Sequence, residues 1–196
     1  MAERRVLWGL LAAVLALSAW LLRGFDPTAI DWQPAWVGRQ PWRAWSAVFV
    51  HYSALHLWAN VAGTLLVGAL GWAAQLPLRS TLAWCAAWPL TQLGLLVQPA
   101  LLHYGGLSGV LHAGVAIVAV HLLFVGNTTQ RRIGVAVLVV LVAKVCSEAP
   151  WRGPLRYPSG WDIAVAPLAH ASGVLAGALC SVLAEAWHRR RKTLSL

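Results

Sequence analysis

Six long stretches of mostly apolar residues constrain the fold of this chain more than any other feature of its sequence. A helix needs about 20 such residues to cross the hydrocarbon core of a bilayer. Stretches of this length lie, with approximate ends, at residues 5–23, 45–71, 79–100, 107–126, 131–149 and 163–187. They predict an all-α membrane protein in which residues 1–196 form a single domain, a bundle of six transmembrane helices.

Composition agrees with lipid as the main solvent. Charged residues make up 11% of the chain and hydrophobic residues 59%, whereas a soluble domain carries about 25% charged residues. The net charge is +9, but the basic residues flank the apolar stretches and form no continuous stripe, so we expect no nucleic-acid partner. The cysteines are widely spaced and form no metal-binding pattern, and we expect neither a metal nor a cofactor.

The distribution of basic residues predicts the orientation in the membrane, because Lys and Arg favour cytoplasmic loops. If both termini lie on one side, that side carries the larger basic set: Arg4, Arg5, Arg79, Arg131, Arg132, Arg189, Arg190, Arg191 and Lys192. We therefore expect cytoplasmic termini and an external first loop, residues 24–44, whose tryptophans Trp32, Trp36 and Trp42 suit the lipid headgroup region.

Several polar side chains interrupt the apolar stretches, where an unpaired polar group is costly and is a candidate for function. Span two begins with "HYSALHLWAN" (51–60), span four with "GLSGVLHAG" (106–114), and span six contains "AHASGVLAG" (169–177). The topology places His56, Asn60, Ser108 and His170 in the outer part of the bilayer, and His121 near the cytoplasmic end of span four. We expect the first four of these residues to form a cluster.

Helical spacing refines this expectation. His56 and Asn60 are four residues apart and share a helix face, whereas His51 falls on another face or at the loop junction. Small residues allow the backbones of spans four and six to approach closely: Gly105, Gly106, Gly109 and Gly114 around Ser108, and Gly173 and Gly177 after His170.

The clustered residues are those needed for acyl transfer. A serine hydroxyl becomes a nucleophile when a base accepts its proton, and His170 is the expected base, with His112 as a competitor four residues after Ser108. The Ser108 backbone N–H, the Asn60 amide and the His56 imidazole are candidate donors to an oxyanion.

No acidic residue is expected to orient His170, because Asp162 lies near the membrane surface, so these positions predict a Ser–His dyad. Lys144 and Glu148, four residues apart on span five, are expected to form an internal ion pair.

Taken together, these motifs resemble those of the rhomboid intramembrane serine proteases of the minimal six-helix type. "GLSG" (106–109) is similar to the family's GxSG motif, "AHASGVLAG" to its AHxxGxxxG motif, "HYSALHLWAN" to its second-helix His and Asn pattern, and "PWRAW" (41–45) to the end of its first external loop. The resemblance implies a rhomboid-like helical bundle with a water-filled cavity that opens outward. It also implies Ser108 as nucleophile, His170 as general base, and an oxyanion hole formed by His56, Asn60 and the Ser108 N–H.

Within the family, "GLSGVLHAG" is most similar to the rhombosortases, small bacterial rhomboids that process proteins with a C-terminal GlyGly-type sorting tail. This implies a single-pass membrane substrate with a glycine-rich motif, one helix and a basic end, and lipid as the second partner. It also implies a bacterial inner-membrane location with the site open to the periplasm. The subgroup usually has Gly directly after the His of "GVLH", where this chain has Ala113 and then Gly114.

Other interpretations remain open at this point. Ser108 could ease helix contact, and a structural or substrate-lining role is open for His51, His112, Gly106, Gly109, Gly173 and Gly177. The protein could be a general rhomboid protease without tail specificity. It could instead be a non-catalytic, histidine-lined transporter or a metal or haem carrier, although the sequence contains neither a His-x-x-x-His pair among these residues nor internal repeats.

Overall fold

The computed structural model describes residues 2–194, and within that range the chain is all-helical and without strands. Side chains of residues 2–5, including Arg4 and Arg5 of the charge argument, lie outside the described part. The predicted all-α class is confirmed. In chain order the helices are α1 (Ala2–Leu21), α2 (Pro27–Ile30), α3 (Arg43–Ser46), α4 (Ala54–Ala73), α5 (Leu78–Leu93), α6 (Ser108–Val125), α7 (Thr128–Ser147) and α8 (Pro167–Leu194).

Four helical segments of the described chain are long and apolar enough to cross a membrane: Ala54–Ala73, Leu78–Val97, Ser108–Val125 and Pro167–Leu194. A shorter apolar helix covers Val6–Leu21. Helix α7 is outside this group; its 20 residues include Arg131, Arg132 and Lys144. The protein therefore has the helices of a membrane protein, while the number of six spans stays a prediction.

Two of the predicted spans have different ends in the structure. The second begins at Ala54 and not at residue 45, because the Ser53 side chain accepts a hydrogen bond from the His56 N–H and caps the helix. The residues before it form α3 and a short 3-10 turn, Ala47–Phe49. The sixth begins at Pro167, a residue suited to the first helical turn, and continues to Leu194.

Helix α6 lies at the centre of the bundle, with most of its residues buried. Two buried tryptophans join the helices around it. The rings of Trp8 and Trp84 stack with their centroids 4.3 Å apart, and their indole nitrogens donate to the carbonyls of Val67 (3.0 Å) and Val110 (2.8 Å). Both of these indole N–H groups thus have a backbone acceptor, which offsets the cost of burying them.

The loop between α1 and α4 is held by a buried ion pair. Arg43 Nη1 donates to Asp31 Oδ1 (3.1 Å) and to the Asp31 carbonyl (2.8 Å). Trp32 forms a two-way backbone bridge with Tyr104 and is fully buried, so its side chain packs inside the protein and does not contact the lipid headgroups as predicted. Its indole packs into a small core under this loop.

Glycines bring α6 and α8 into backbone contact, as the GxxxG spacing predicted. A Cβ added at Gly173 would fall on the Gly109 carbonyl oxygen, and one added at Gly177 would fall on the Ala113 carbonyl oxygen. At Gly109 an added Cβ would lie 2.8 Å from the Ala169 carbonyl oxygen. Because any side chain at these positions would separate the two helices, their glycines fix the distance between Ser108 and His170.

A Gly173→Ala variant is expected to be less stable than the wild type by about 1–3 kcal/mol, because overpacking a tight contact displaces the backbones that form it. Gly38→Ala is a matched control, since nothing lies within 4 Å of a Cβ added there. Reversible unfolding in detergent micelles measures both variants. Equal stability of the two variants would contradict the close backbone contact.

Candidate functional site

Ser108 is the first residue of α6 and follows a glycine turn. Gly106 has φ +119°, a left-handed backbone that favours glycine, and a Cβ there would lie 2.6 Å from His56 Nε2. The glycines therefore let the chain turn into α6 beneath the α4 side chains. At a helix N-terminus the first backbone N–H groups have no intrahelical acceptor, so the Ser108 N–H is available to a ligand.

His170 lies in the first turn of α8 and meets Ser108 across the helix contact. Ser108 Oγ and His170 Nε2 lie 2.9 Å apart, within hydrogen-bond distance. The His170 side chain is only 7% exposed, so the packing of α6 and α8 holds its ring in place. The expected contact between the two residues is present, and Nε2 is placed to accept the hydroxyl proton.

His56 and Asn60 lie in the first two turns of α4 and face the same region. Both are buried. Within the part of the chain that the structure describes, Asn60 Nδ2 and His56 Nδ1 have no hydrogen-bond partner. A buried polar atom without a partner costs free energy, so a ligand oxygen that accepted from Asn60 would relieve that cost.

His51 precedes α4 and lies in the loop, which is one of the two positions predicted for it. Its Nδ1 lies 3.1 Å from the Phe49 carbonyl, and its ring stands 4.9 Å from the ring of His56. Burial lowers the pKa of His51 from its ordinary value. His51 thus supports the position of His56 and does not contact Ser108.

His112 does not contact the Ser108 hydroxyl. Its Nδ1 donates to the Ser108 carbonyl oxygen over 2.6 Å, and its Nε2 accepts from Lys144 Nζ over 2.7 Å. The His112 ring stacks on the ring of His170 with centroids 4.2 Å apart. Both of its nitrogens are therefore engaged, and it lies behind the pair formed by Ser108 and His170.

The predicted ion pair of Lys144 and Glu148 is confirmed, with Nζ and Oε1 2.8 Å apart. The expectation that no acidic residue orients His170 is wrong. Glu148 Oε2 lies 2.7 Å from His170 Nδ1. Because Glu148 follows the last residue of α7, it reaches the end of the bundle at which α6 and α8 begin. Its position near the end of the predicted fifth span places Glu148 in the same outer layer as His170, although not in contact with it.

His121 lies apart from this cluster, as expected. Its Nδ1 is 2.9 Å from Glu185 Oε1, and Arg79 Nε is 3.0 Å from the same oxygen. This second buried polar cluster joins α5, α6 and α8 at the opposite end of the bundle.

A cavity of about 580 Å³ opens onto the site. It is large enough to admit a peptide segment together with water. Between residues 2 and 194, no group of three His, Cys, Asp or Glu side chains is arranged to hold a metal ion. Lining residues include His56, Asn60, Ser108, His112, Lys144 and His170.

The arrangement combines a hydroxyl hydrogen-bonded to a buried imidazole, unpartnered donors beside it, and a cavity in front of both. These are the elements of nucleophilic acyl transfer. In a comparison with known families, the model described as the Rhomboid domain matches residues 38–187. Every residue of the site lies inside that range. A search among curated proteins finds none that matches the chain.

Proposed function

This chain belongs to the rhomboid family of intramembrane proteases, and from this premise we propose that it is a serine endopeptidase that uses Ser108 as nucleophile and His170 as general base. One observation carries the proposal: Ser108 Oγ and His170 Nε2 lie 2.9 Å apart, and both residues line a cavity. Both residues interrupt apolar stretches, where a polar side chain is costly, so their contact across two helices marks a candidate functional site.

The first half of the reaction forms an ester. Ser108 Oγ bonds to the scissile carbonyl carbon while its proton passes to His170 Nε2. The carbonyl oxygen becomes an oxyanion, which accepts hydrogen bonds from Asn60 Nδ2, the His56 ring and the Ser108 N–H. His170 then donates the proton to the leaving nitrogen as the C–N bond breaks, which releases the amine fragment and leaves an acyl ester on Ser108.

The second half of the reaction uses water. His170 Nε2 accepts a proton from a water molecule whose oxygen attacks the ester carbon, and the same oxyanion donors act again. Collapse of this intermediate breaks the bond to Ser108 Oγ, which takes back the proton, and the acid fragment leaves. Polar side chains in the cavity lining, among them Asn60, His112 and Lys144, support this step, because water must reach a site that lies among apolar helices.

For the location we propose a bacterial inner membrane, with six spans, both termini in the cytoplasm and the site open to the periplasm. The site lies where α4, α6 and α8 begin and α7 ends. The basic residues Arg79, Arg131 and Arg189 lie at the other end of the bundle, where α5 and α7 begin and α8 ends. The positive-inside rule supports this orientation.

The proposed substrate is a single-pass membrane protein with a C-terminal GlyGly-type sorting tail, as in the rhombosortases. "GLSGVLHAG" (106–114) supports this subgroup, although Ala113 departs from its usual glycine. Glycines at the top of a substrate helix unwind easily, and their small size suits a site bounded by closely packed helices.

Cleavage of matched tail substrates in proteoliposomes tests the substrate class. One substrate carries a glycine-rich motif, a single helix and a basic end, and in the second the glycines of that motif are changed to valine. We expect the valine substrate to be cleaved about tenfold more slowly, the order expected when a site discriminates by side-chain size. Equal rates would favour a general rhomboid protease without tail specificity, and cleavage of neither substrate would contradict the tail proposal.

A further inference from the structure

His170 makes a second contact that the dyad mechanism does not use. Its Nδ1 lies 2.7 Å from Glu148 Oε2 and 3.0 Å from Lys144 Nζ. Only one of these can be a hydrogen bond at a given time, because a carboxylate only accepts and an ammonium only donates. The position of one proton on the His170 ring therefore decides which neighbour it bonds.

The two choices have opposite consequences for Ser108. If Nδ1 carries the proton and donates to Glu148, Nε2 keeps a lone pair and can accept the Ser108 proton. If Nδ1 instead accepts from Lys144, the proton sits on Nε2 and the neutral ring cannot act as a base toward Ser108. Of the two contacts, the shorter is the one to Glu148, and it is the one that permits catalysis.

Lys144 has two acceptors other than His170, which engage two of its three N–H groups. Its Nζ donates to His112 Nε2 over 2.7 Å and to Glu148 Oε1 over 2.8 Å, and His112 in turn donates to the Ser108 carbonyl oxygen. The contacts close into a ring: Ser108 hydroxyl, His170, Glu148, Lys144, His112 and back to the Ser108 carbonyl. Each group in this ring has a consistent donor or acceptor role.

The Glu148 carboxylate is placed by the end of its helix. Glu148 is the C-cap residue of α7, and Ala149 after it has φ +50°, a left-handed conformation that turns the chain away. The side chain is 24% exposed, so it keeps some contact with solvent and remains ionised at a smaller cost than a fully buried acid. One oxygen faces Lys144 and the other faces His170.

We propose that Glu148 is a positioning residue that completes a Ser108–His170–Glu148 chain, an inference that rests on the protease function proposed above. Its carboxylate fixes the proton on Nδ1 and stabilises the imidazolium that forms when His170 accepts the Ser108 proton. It acts through His170 and does not touch the substrate. An acid orienting the base in this manner contributes strongly to kcat in serine hydrolases.

Glu148→Gln tests this role because it reverses the direction of the hydrogen bond to His170 Nδ1 while it keeps the shape of the side chain. The amide oxygen must face Lys144, which only donates, so the amide NH2 faces His170 Nδ1 and forces the proton onto Nε2. We expect kcat for a glycine-tail substrate to fall about 100-fold or more, with KM within about twofold of the wild type. Glu148→Asp retains the charge on a shorter side chain and is expected to recover part of the loss, to within about tenfold of the wild-type kcat.

Asp26→Asn is the matched control. Asp26 caps α2, where it accepts from the N–H and the hydroxyl of Thr28, and is not among the residues that line the cavity, so its amide variant is expected to keep the wild-type kcat. A Glu148→Gln enzyme with wild-type kcat would overturn the inference. Should that variant fail to fold, a Glu148→Asp enzyme at the full wild-type kcat would overturn it instead.

A Ser108→Ala enzyme in the same assay separates this inference from the proposed function. If Ser108→Ala is inactive while Glu148→Gln cleaves at the wild-type rate, the positioning role fails and the protease function stands. If Ser108→Ala cleaves as well as the wild type, the proposed function itself fails.

Discussion

Ser108→Ala is expected to abolish cleavage of a membrane substrate, with a loss in kcat of about ten-thousandfold or more. The substitution removes the only protein atom that the proposed mechanism joins to the substrate carbonyl carbon, and the His170 lone pair then has no hydroxyl proton to accept. The fold should be retained, because the Ser108 backbone still begins α6 and its carbonyl still accepts from His112. Gel-based cleavage of a tail substrate in proteoliposomes measures the effect.

Ser18→Ala serves as the matched control for this loss. Ser18 lies on α1, away from the residues that line the cavity, so the same chemical change there is expected to leave cleavage intact. Cleavage by Ser108→Ala at the wild-type rate would exclude Ser108 as the nucleophile and would remove the basis of the protease proposal.

His170→Ala is expected to be as inactive as Ser108→Ala, whereas His112→Ala is expected to lose only about tenfold in kcat. The difference follows from the hydrogen bonds: His170 Nε2 accepts from the Ser108 hydroxyl, while both nitrogens of His112 are engaged by a carbonyl and by Lys144. Loss of His112 weakens the support behind the site but leaves the base in place.

Steady-state kinetics on the His170→Ala and His112→Ala variants decides which histidine is the general base. Complete loss in His112→Ala together with partial loss in His170→Ala would assign the base to His112, which is the alternative that the sequence left open. Equal partial losses would mean that neither imidazole is the base.

Much of the site could be predicted from the sequence because membrane topology restricts the depth in the bilayer at which each polar residue can lie. Once the apolar stretches are assigned, a polar residue near one end of a span has few possible neighbours. Ser108 and His170 met as expected for this reason, and the glycines after His170 explained how their helices approach. The close packing of Gly173 on Gly109 is a direct consequence of that spacing.

The contact between Glu148 and His170 was missed because the sequence already offers an ion-pair partner for the Glu148 carboxylate, namely Lys144, four residues earlier. Lys144 lies one turn away and forms the expected ion pair, which engages one oxygen of the carboxylate. A carboxylate has two oxygens, however, and the second is free to accept from another helix. The contact with His170 depends on how α7 ends against α8, which helical periodicity does not specify.

The errors in the span ends and in Trp32 have a related origin. Residues 45–53 are predicted as the start of the second span, yet α3 ends at Ser46, a 3-10 turn covers Ala47–Phe49, and α4 begins only after its cap, Ser53. Trp32 was assigned to the headgroup region from residue type alone. Its burial depends on a backbone bridge to Tyr104, a contact between loops far apart in sequence.

The central claim is that the Ser108 hydroxyl is activated by His170 in a cavity that is accessible to substrate. Labelling with a fluorophosphonate, followed by peptide mass mapping, tests this claim directly. We predict one adduct, on Ser108 of the wild-type protein, and no adduct on the His170→Ala protein. An adduct on a different serine, or no adduct on a folded wild-type protein that cleaves its substrate, would contradict it.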